Sequence, residues 1–369
     1  MTRALVAILG LSATVALAQT PTHKHYEKPA EADKPSPTGE LAPKLQNLGA
    51  HTFPVTTKSK RAQSFVNQGV NLAYGFNHAE AGRAFREAAR LDPNCAMCYW
   101  GQAIVLGPNI NVPMTPDDEP KAHELAQKAV AMKARATPRE RAYIDALARR
   151  YTGRKEDRAA ADKAYADAMR DLARKYPADL DAQTMYAEAL MDLRPWNYWT
   201  GDGRPYSGTE EIVATLEKVL ARHKNHPGAN HLYIHAVEAT KSPERAEAAA
   251  DRLGRLMPGA GHMVHMPSHI YQRVGRYADA AAANVAAAKA DEDYISQCRA
   301  QGIYPMAYYP HNIHFIWYAA TAEGRSQVAI EAARKTAAQV ADEQLDTLPL
   351  LGAFRVVPHY ALARFGKWD

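Results

Sequence analysis

The chain has 369 residues, of which 47% are hydrophobic and 23% charged. Its 45 basic and 40 acidic residues leave a net charge of only +5, too thinly spread to predict nucleic-acid binding. Beyond the N-terminus, no apolar run reaches the roughly 18 residues that a membrane span needs. Three cysteines are too few for a disulfide framework in a chain of this length. The sequence therefore predicts a folded protein with no nucleic-acid partner and no membrane span.

The N-terminus has the pattern of a secretory signal peptide over residues 1–18. Arg3 precedes an apolar stretch, and Ala16 and Ala18 supply the small residues required before a cleavage site. We therefore expect cleavage before Gln19 and export to the periplasm or the medium. The next segment, 19–48, is rich in Pro, Lys and Glu and has no helical or strand periodicity, so we expect a disordered leader.

The exported protein is expected to begin at Gln19, because the Ala-x-Ala site ends at Ala18. Intact mass spectrometry of the exported protein measures this directly. A soluble exported form that still carries residues 1–18 would contradict the assignment.

From residue 60 the chain repeats itself. In the first unit, small residues stand where two helices must approach closely, and large residues fill the space between turns. The residues concerned are Phe65, Gly69, Leu72, Ala81, Phe85, Ala88 and Pro93. This pattern resembles the tetratricopeptide repeat, a two-helix unit of about 34 residues. The resemblance implies an all-α fold over residues 60–369, a right-handed superhelical solenoid of stacked helix pairs with one continuous core.

The repeat register predicts seven helix pairs in chain order. They cover residues 62–75 and 79–91, 96–106 and 121–134, 139–151 and 158–175, 182–193 and 210–222, 230–239 and 243–256, 265–274 and 277–290, and 311–322 and 326–342. Long connections are predicted at 107–120, 194–208 and 294–310. A last predicted helix near 357–365 is followed by no second helix, so we expect the repeat array to be C-terminally truncated.

Cys95 and Cys98 form a CxxC motif at the junction of the first two units. No histidine follows, so the motif does not indicate covalent haem attachment. Three interpretations stay open: a disulfide formed in an oxidising compartment, two buried thiols, and metal or redox chemistry. Cys298 falls in a predicted loop.

Eight of the 15 histidines lie between residues 226 and 314, and several of them recur at one phase of the repeat. His262 and His265 have the spacing of His311 and His314. His231 precedes His265 by one period of 34 residues, and His235 precedes His269 by the same distance. Spacings of three and four residues place each set on one face of a helix. In the family that this chain resembles, these first-helix positions line a concave groove that binds the ligand.

The resemblance therefore implies one shared site, which Glu238 extends by a carboxylate. Its residues are His231, His235, Glu238, His262, His265, His269, His311 and His314. Imidazole and carboxylate ligands suit Zn or Cu, and no other cofactor is indicated. A groove that binds an anion or a peptide, and histidines that only pack, stay open. Because Pro267 favours a helix start near that position, His262 is expected in the preceding loop.

The connection over residues 194–208 is rich in aromatic residues. Trp196, Tyr198 and Trp199 either form the lip of the groove or cap an irregular repeat junction. The sequence has no GxSxG, P-loop or HExxH motif, so no catalytic residue can be named. We therefore predict an exported binding scaffold that takes a protein or peptide ligand in its groove. A metal-dependent hydrolase or oxidase built on the same scaffold is the alternative.

Overall fold

The computed structural model describes residues 34–297 and 304–368. Within these ranges the chain folds into helices and contains no β-strand, only two isolated β-bridges. The predicted all-α fold is confirmed. No helix in this part of the chain is long and apolar enough to cross a membrane. The predicted signal peptide, residues 19–33 of the predicted leader, and Cys298 lie outside the described residues.

The chain divides into two compact units. The N-terminal unit contains residues 34–45 and 50–239, and the C-terminal unit contains residues 46–49 and 240–368. The N-terminal unit's helices are α1 Lys60–Tyr74, α2 His78–Leu91, α3 Ala96–Ile104, α4 Glu119–Met132, α5 Pro138–Leu147, α6 Arg158–Lys175, α7 Leu180–Asp192, α8 Thr209–Arg222 and α9 Pro227–Val237. Each of these helices packs against its neighbour in the chain, as the helix-pair pattern predicts.

Phe85 shows how the repeat pattern becomes packing. Its buried ring lies between α1 and α3 so closely that a Cβ on Gly69 would come within 2.7 Å of it, and one on Gly101 within 2.2 Å. Neither distance is possible for a real side chain, so glycine at both positions lets the helices close around the ring. This contact explains the alternation of small and large residues in the repeat pattern.

Side-chain caps set where several of these helices begin. The Ser59 hydroxyl accepts the Ala62 N–H ahead of α1, and Thr137 and Glu140 form a capping box at α5. Asp179 caps α7 through the Ala182 N–H. These contacts satisfy N–H groups that the first helical turn leaves without partners.

Residues 34–48 have no helix, but several of their side chains are buried, where the sequence predicted a disordered leader. In the N-terminal unit, the Leu41 N–H donates to Glu87 and the Leu45 N–H donates to Gln68. Ala42 and Leu45 are buried. Polar side chains of α1 and α2 thus satisfy two backbone N–H groups of this segment, an arrangement that composition alone does not show.

Cys95 and Cys98 are joined by a disulfide at the start of α3. Both residues are fully buried, and the Cys95 sulfur accepts the N–H of Cys98. The structure therefore supports the first of the three interpretations, a disulfide.

In the C-terminal unit, segment 46–49 joins the helices that follow residue 240. These helices are α10 Glu247–Leu256, α11 Gly261–His265, α12 Pro267–Arg273, α13 Tyr277–Gln297, α14 Tyr309–Ala322, α15 Ser326–Ala338, α16 Asp342–Thr347, α17 Gly352–Arg355 and α18 Val357–Arg364. Gly275 and Gly324 adopt positive φ values of 83° and 74°. They lie in the turns between the two helices of the sixth and seventh predicted pairs. Trp317 and Ile313 of α14 pack with Val357 of α18 in the unit's core.

Two details of this unit differ from prediction. His262 lies in helix α11 rather than in a loop, because a short helix precedes Pro267 and ends where α12 begins. The predicted connection over residues 294–310 is helical at both ends, since α13 continues to Gln297 and a π-helical turn spans Tyr304–Tyr308.

Candidate metal centre

Three histidines of the C-terminal unit come together. His265 ends α11, His269 lies in α12, and His311 lies in the first turn of α14. One nitrogen from each ring can be chosen so that all three lie within 4.8 Å of one another. His265 is buried, and the other two are half-buried. The structure therefore groups two histidines of the sixth predicted helix pair with one of the seventh.

The tautomer of His265 follows from its neighbour Asn284. The Asn284 amide NH₂ donates to the Ala280 carbonyl at 2.7 Å, which turns its oxygen toward His265. That oxygen lies 2.6 Å from His265 Nδ1, so Nδ1 carries the proton and donates. His265 Nε2 then has a lone pair available for an ion, and a hydrogen bond behind the ring fixes its orientation.

His265 Nε2 and His269 Nε2 lie 2.9 Å apart. In a tetrahedral zinc site with Zn–N bonds of about 2.0–2.1 Å, two ligand nitrogens are about 3.3–3.4 Å apart. The two rings would need to separate by only a few tenths of an ångström to hold an ion. When no ion is bound, His269 Nε2 can carry a proton and donate it to His265 Nε2.

Phe315 forms an apolar floor under the three imidazoles. Its ring centroid lies 4.7 Å from that of His265, 4.9 Å from His269 and 4.6 Å from His311. An apolar wall limits water around the nitrogens and strengthens their interaction with a bound cation.

A buried hydrogen-bond network ties together the segments that carry these histidines. The Tyr304 hydroxyl accepts the His262 N–H at 3.0 Å and donates to Asp291 at 2.9 Å, and the Asn312 amide donates to the other Asp291 oxygen at 2.7 Å. Burial raises the pKa of Asp291 to about 7, although these two hydrogen bonds act in the opposite direction. The network therefore links α11, α13 and α14 through one titratable carboxyl.

The other predicted ligands are divided between the two units. His231 and His235 are in α9 of the N-terminal unit, where their Nε2 atoms are 3.1 Å apart. Glu238 lies 3.0 Å from Nδ1 of His235, so it supports that ring from behind. His314 does not belong to the three-histidine group. Its ring lies 5.0 Å from that of Trp317 and 5.4 Å from that of Phe354, and burial lowers its pKa to about 4.

The predicted aromatic lip packs onto α9 within the N-terminal unit. Trp196 donates to the Asn111 side chain at 3.1 Å and contacts the His235 ring at 4.9 Å. Trp199 donates to the Ala236 carbonyl at 2.7 Å, and Tyr198 is buried. The aromatic connection thus covers the helix that carries His231 and His235.

Sequence reasoning missed a third group in the N-terminal unit. His51 Nε2 and the Tyr74 hydroxyl lie 2.9 and 2.7 Å from one oxygen of Asp181, and His226 Nε2 lies 3.3 Å from it. His51 and Asp181 are 130 residues apart, so no local spacing in the sequence predicts their contact. Burial alone would raise the pKa of Asp181, but its interactions with His226 and His51 hold that pKa below its usual range.

This third group fits a hydrogen-bonded carboxylate better than a metal site. His226 Nδ1 accepts the Ala229 N–H at 3.2 Å, so the neutral ring carries its proton on Nε2, toward Asp181. A ligating Nε2 would have to lose that proton. The proton donors around the carboxylate come from a loop, from α1 and from the residue that caps α9.

No protein-family model matches the chain, and no curated protein matches it. Among solved structures, the crystal structure of yeast Tom70 is similar at 11% sequence identity, over 83% of this chain and 74% of that chain, with a TM-score of 0.32. A similarity of this size says nothing about activity. The fold and the histidines define an all-α protein of successive helix pairs with a candidate metal centre in its C-terminal unit.

Proposed function

We propose that this protein is an exported helical-repeat scaffold that binds a divalent transition metal at His265, His269 and His311. The single observation that carries the proposal is the convergence of the three ring nitrogens within 4.8 Å. Neutral imidazoles favour Zn²⁺ or Cu²⁺ over the oxygen-preferring Mg²⁺ and Ca²⁺. The hydrogen bond from His265 to Asn284 supports this assignment because ligating histidines commonly donate their second N–H to an oxygen.

Zn²⁺ or Cu²⁺ is expected to stabilise the purified mature protein after chelation. An ion that binds only the folded state at 100-fold excess over Kd adds about 2.7 kcal/mol to the free energy of unfolding. Binding needs neutral imidazoles, so the affinity should fall as the pH drops through about 6.5. Calorimetric titration and thermal melting with and without metal measure both effects.

The matched variants for this test are His265→Gln with His269→Gln, and His359→Ala. The first pair removes two of the three ligands, so it should lose the ion of the C-terminal unit. His359 is exposed in the same unit and should leave binding unchanged. A wild-type protein whose melting does not respond to either metal would contradict the proposal.

Asn284→Leu is expected to weaken metal binding at this centre about 10- to 100-fold without removing a ligand. The variant loses the hydrogen bond that fixes both the orientation and the tautomer of the His265 ring. Asn284→Asp keeps an acceptor for Nδ1 and should retain most of the affinity. The measurement is a competitive Zn²⁺ titration against a chromophoric chelator. Equal affinity in the Leu variant and the wild type would show that Asn284 does not orient the ligand.

A metal-dependent hydrolase is the second candidate function. The observation that favours it is the ligand number, since catalytic zinc sites use three protein ligands and leave a position for water. Hydrolysis of an activated ester by the Zn²⁺-loaded protein, lost in the His265→Gln and His269→Gln variant, would support it.

We also propose that the repeat takes a protein or peptide partner in its groove and acts after export. The helix-pair packing supports a repeat scaffold, and the signal-like N-terminus supports export. Co-purification of the exported protein from the periplasmic fraction, compared with a variant lacking residues 2–18, tests the location and recovers partners.

A further inference from the structure

We propose a second metal site in the N-terminal unit, formed around His231 and His235 of α9. It rests on the proposed metal-binding function for its chemistry, but on none of the residues of the first centre. The two sites can therefore fail separately in one experiment.

Both rings have a fixed tautomer. His231 Nδ1 lies 2.6 Å from the Tyr74 carbonyl oxygen, and His235 Nδ1 lies 3.0 Å from the Glu238 carboxylate. Carbonyl and carboxylate oxygens only accept hydrogen bonds, so each Nδ1 must carry the proton and donate it. In a neutral imidazole, the other nitrogen then has a lone pair.

The two lone pairs face each other. His231 Nε2 and His235 Nε2 are 3.1 Å apart, and both residues are buried, at 0% and 2% exposure. Two lone pairs at this distance repel unless a cation lies between them, and that cation is either a metal ion or a proton. The separation is close to the 3.3–3.4 Å expected for two nitrogens on one tetrahedral zinc ion with bonds of about 2.0–2.1 Å.

A metal ion fits this arrangement, and a proton shared by the two Nε2 atoms is the alternative that the ion count tests. Glu238 accepts the Nδ1 proton of His235, whose Nε2 would bind the ion. In such carboxylate–histidine–metal arrangements, the carboxylate raises the basicity of the ligating imidazole. The carbonyl of Tyr74 does the same for His231. Both ligands are thus oriented and electronically supported for a borderline ion such as Zn²⁺ or Cu²⁺.

Aromatic rings surround the pair. Phe76 lies 4.5 Å from the His231 ring and 6.0 Å from the His235 ring, and Trp196 meets His235 edge to face at 4.9 Å. Asn111 holds Trp196 through the indole N–H. These rings keep the ligands dry and place a natural fluorophore beside the proposed ion.

The experiment counts ions on the chelated, full mature chain titrated with Zn²⁺, and with Co²⁺ as a spectroscopic substitute. The wild type should bind two ions. His231→Gln with His235→Gln should bind one, His265→Gln with His269→Gln should bind one, and the combined variant should bind none. His223→Ala, at an exposed histidine of the N-terminal unit, should still bind two.

Cu²⁺ quenching of Trp196 reports the second site directly. Quenching should persist in the His265→Gln and His269→Gln variant and disappear when His231→Gln and His235→Gln are added to it. In the same His265→Gln and His269→Gln background, Trp196→Phe should reduce the quenching while leaving the ion count unchanged, because Trp199 also lies beside α9. Circular dichroism of each variant without metal shows that it remains folded.

Several results would overturn the second site. One ion in the wild type, lost with either histidine pair, would mean a single centre and leave the proposed metal-binding function standing. Two ions retained after His231→Gln and His235→Gln would place the second ion elsewhere. No ion in the wild type would reject both proposals and leave a shared proton between the rings.

Glu238 is a positioning residue in this proposal. Glu238→Gln should weaken the second ion about 10- to 100-fold while the first keeps its affinity, and Glu238→Asp should recover part of the loss. A purely structural role for Glu238 would instead lower the melting temperature without metal and leave the ratio of the two affinities unchanged.

Discussion

Arg150→Met is expected to lower the free energy of unfolding of the N-terminal unit by about 3–5 kcal/mol, as found when one partner of a buried ion pair is removed. The guanidinium is buried and donates to Asp162 at 3.0 Å and to Asp192 at 2.6 Å. It also lies 4.6 Å from the centre of the Tyr165 ring. Methionine fills much of the space but leaves Asp192 without its cation, whereas Asp162 keeps its ion pair with Arg158.

Asp192 should carry most of that cost. Burial raises the pKa of Asp192 even with Arg150 beside it. Burial, followed by the charge of Asp192, also raises the pKa of Glu188. We therefore expect Asp192→Asn in the Arg150→Met background to restore much of the lost stability. Hydrogen exchange of α5–α7 measures the opening free energy in all four proteins of this double-mutant cycle. Additive losses would show that Arg150 acts through packing alone.

The helices could be predicted because their signals are local. The contact of Phe85 with Gly69 lies within one 34-residue repeat. The turns at Gly275 and Gly324 depend only on a glycine that adopts a positive φ. The burial of residues 34–48 could not be predicted in the same way. Its backbone is satisfied by Glu87 and Gln68, which belong to later helices.

The candidate site shows the same division. Repeat phase brought out His265, His269 and His311 because it placed all three on the same face of neighbouring first helices. Phase alone does not reveal the tautomers, since these depend on Asn284 and on carbonyl oxygens. The convergence on Asp181 depends on contacts across more than a hundred residues, which no periodicity encodes.

Asp291→Asn is expected to gain stability relative to the wild type as the pH rises from 4 to 7.5. The folded-state pKa of Asp291, raised by burial to about 7, lies well above the value of about 3.9 in an unfolded chain. The wild-type carboxyl therefore contributes stability that is fully present below about pH 4. That contribution is lost as the pH rises from about 4 through 7, because in this range the unfolded chain has released the proton that the folded state still holds.

The size of the change follows from the pKa difference of about three units, which corresponds to about 4 kcal/mol. Hydrogen exchange of α13 at several pH values measures it in both proteins. Asp293→Asn, at an exposed carboxylate on the same helix, controls for the loss of charge and should not reproduce the trend. Because Tyr304 joins Asp291 to the N–H of His262, exchange in α11 should follow the same pH dependence. A constant difference between wild type and Asp291→Asn would mean that Tyr304 and Asn312 hold the ionised carboxylate across the whole range.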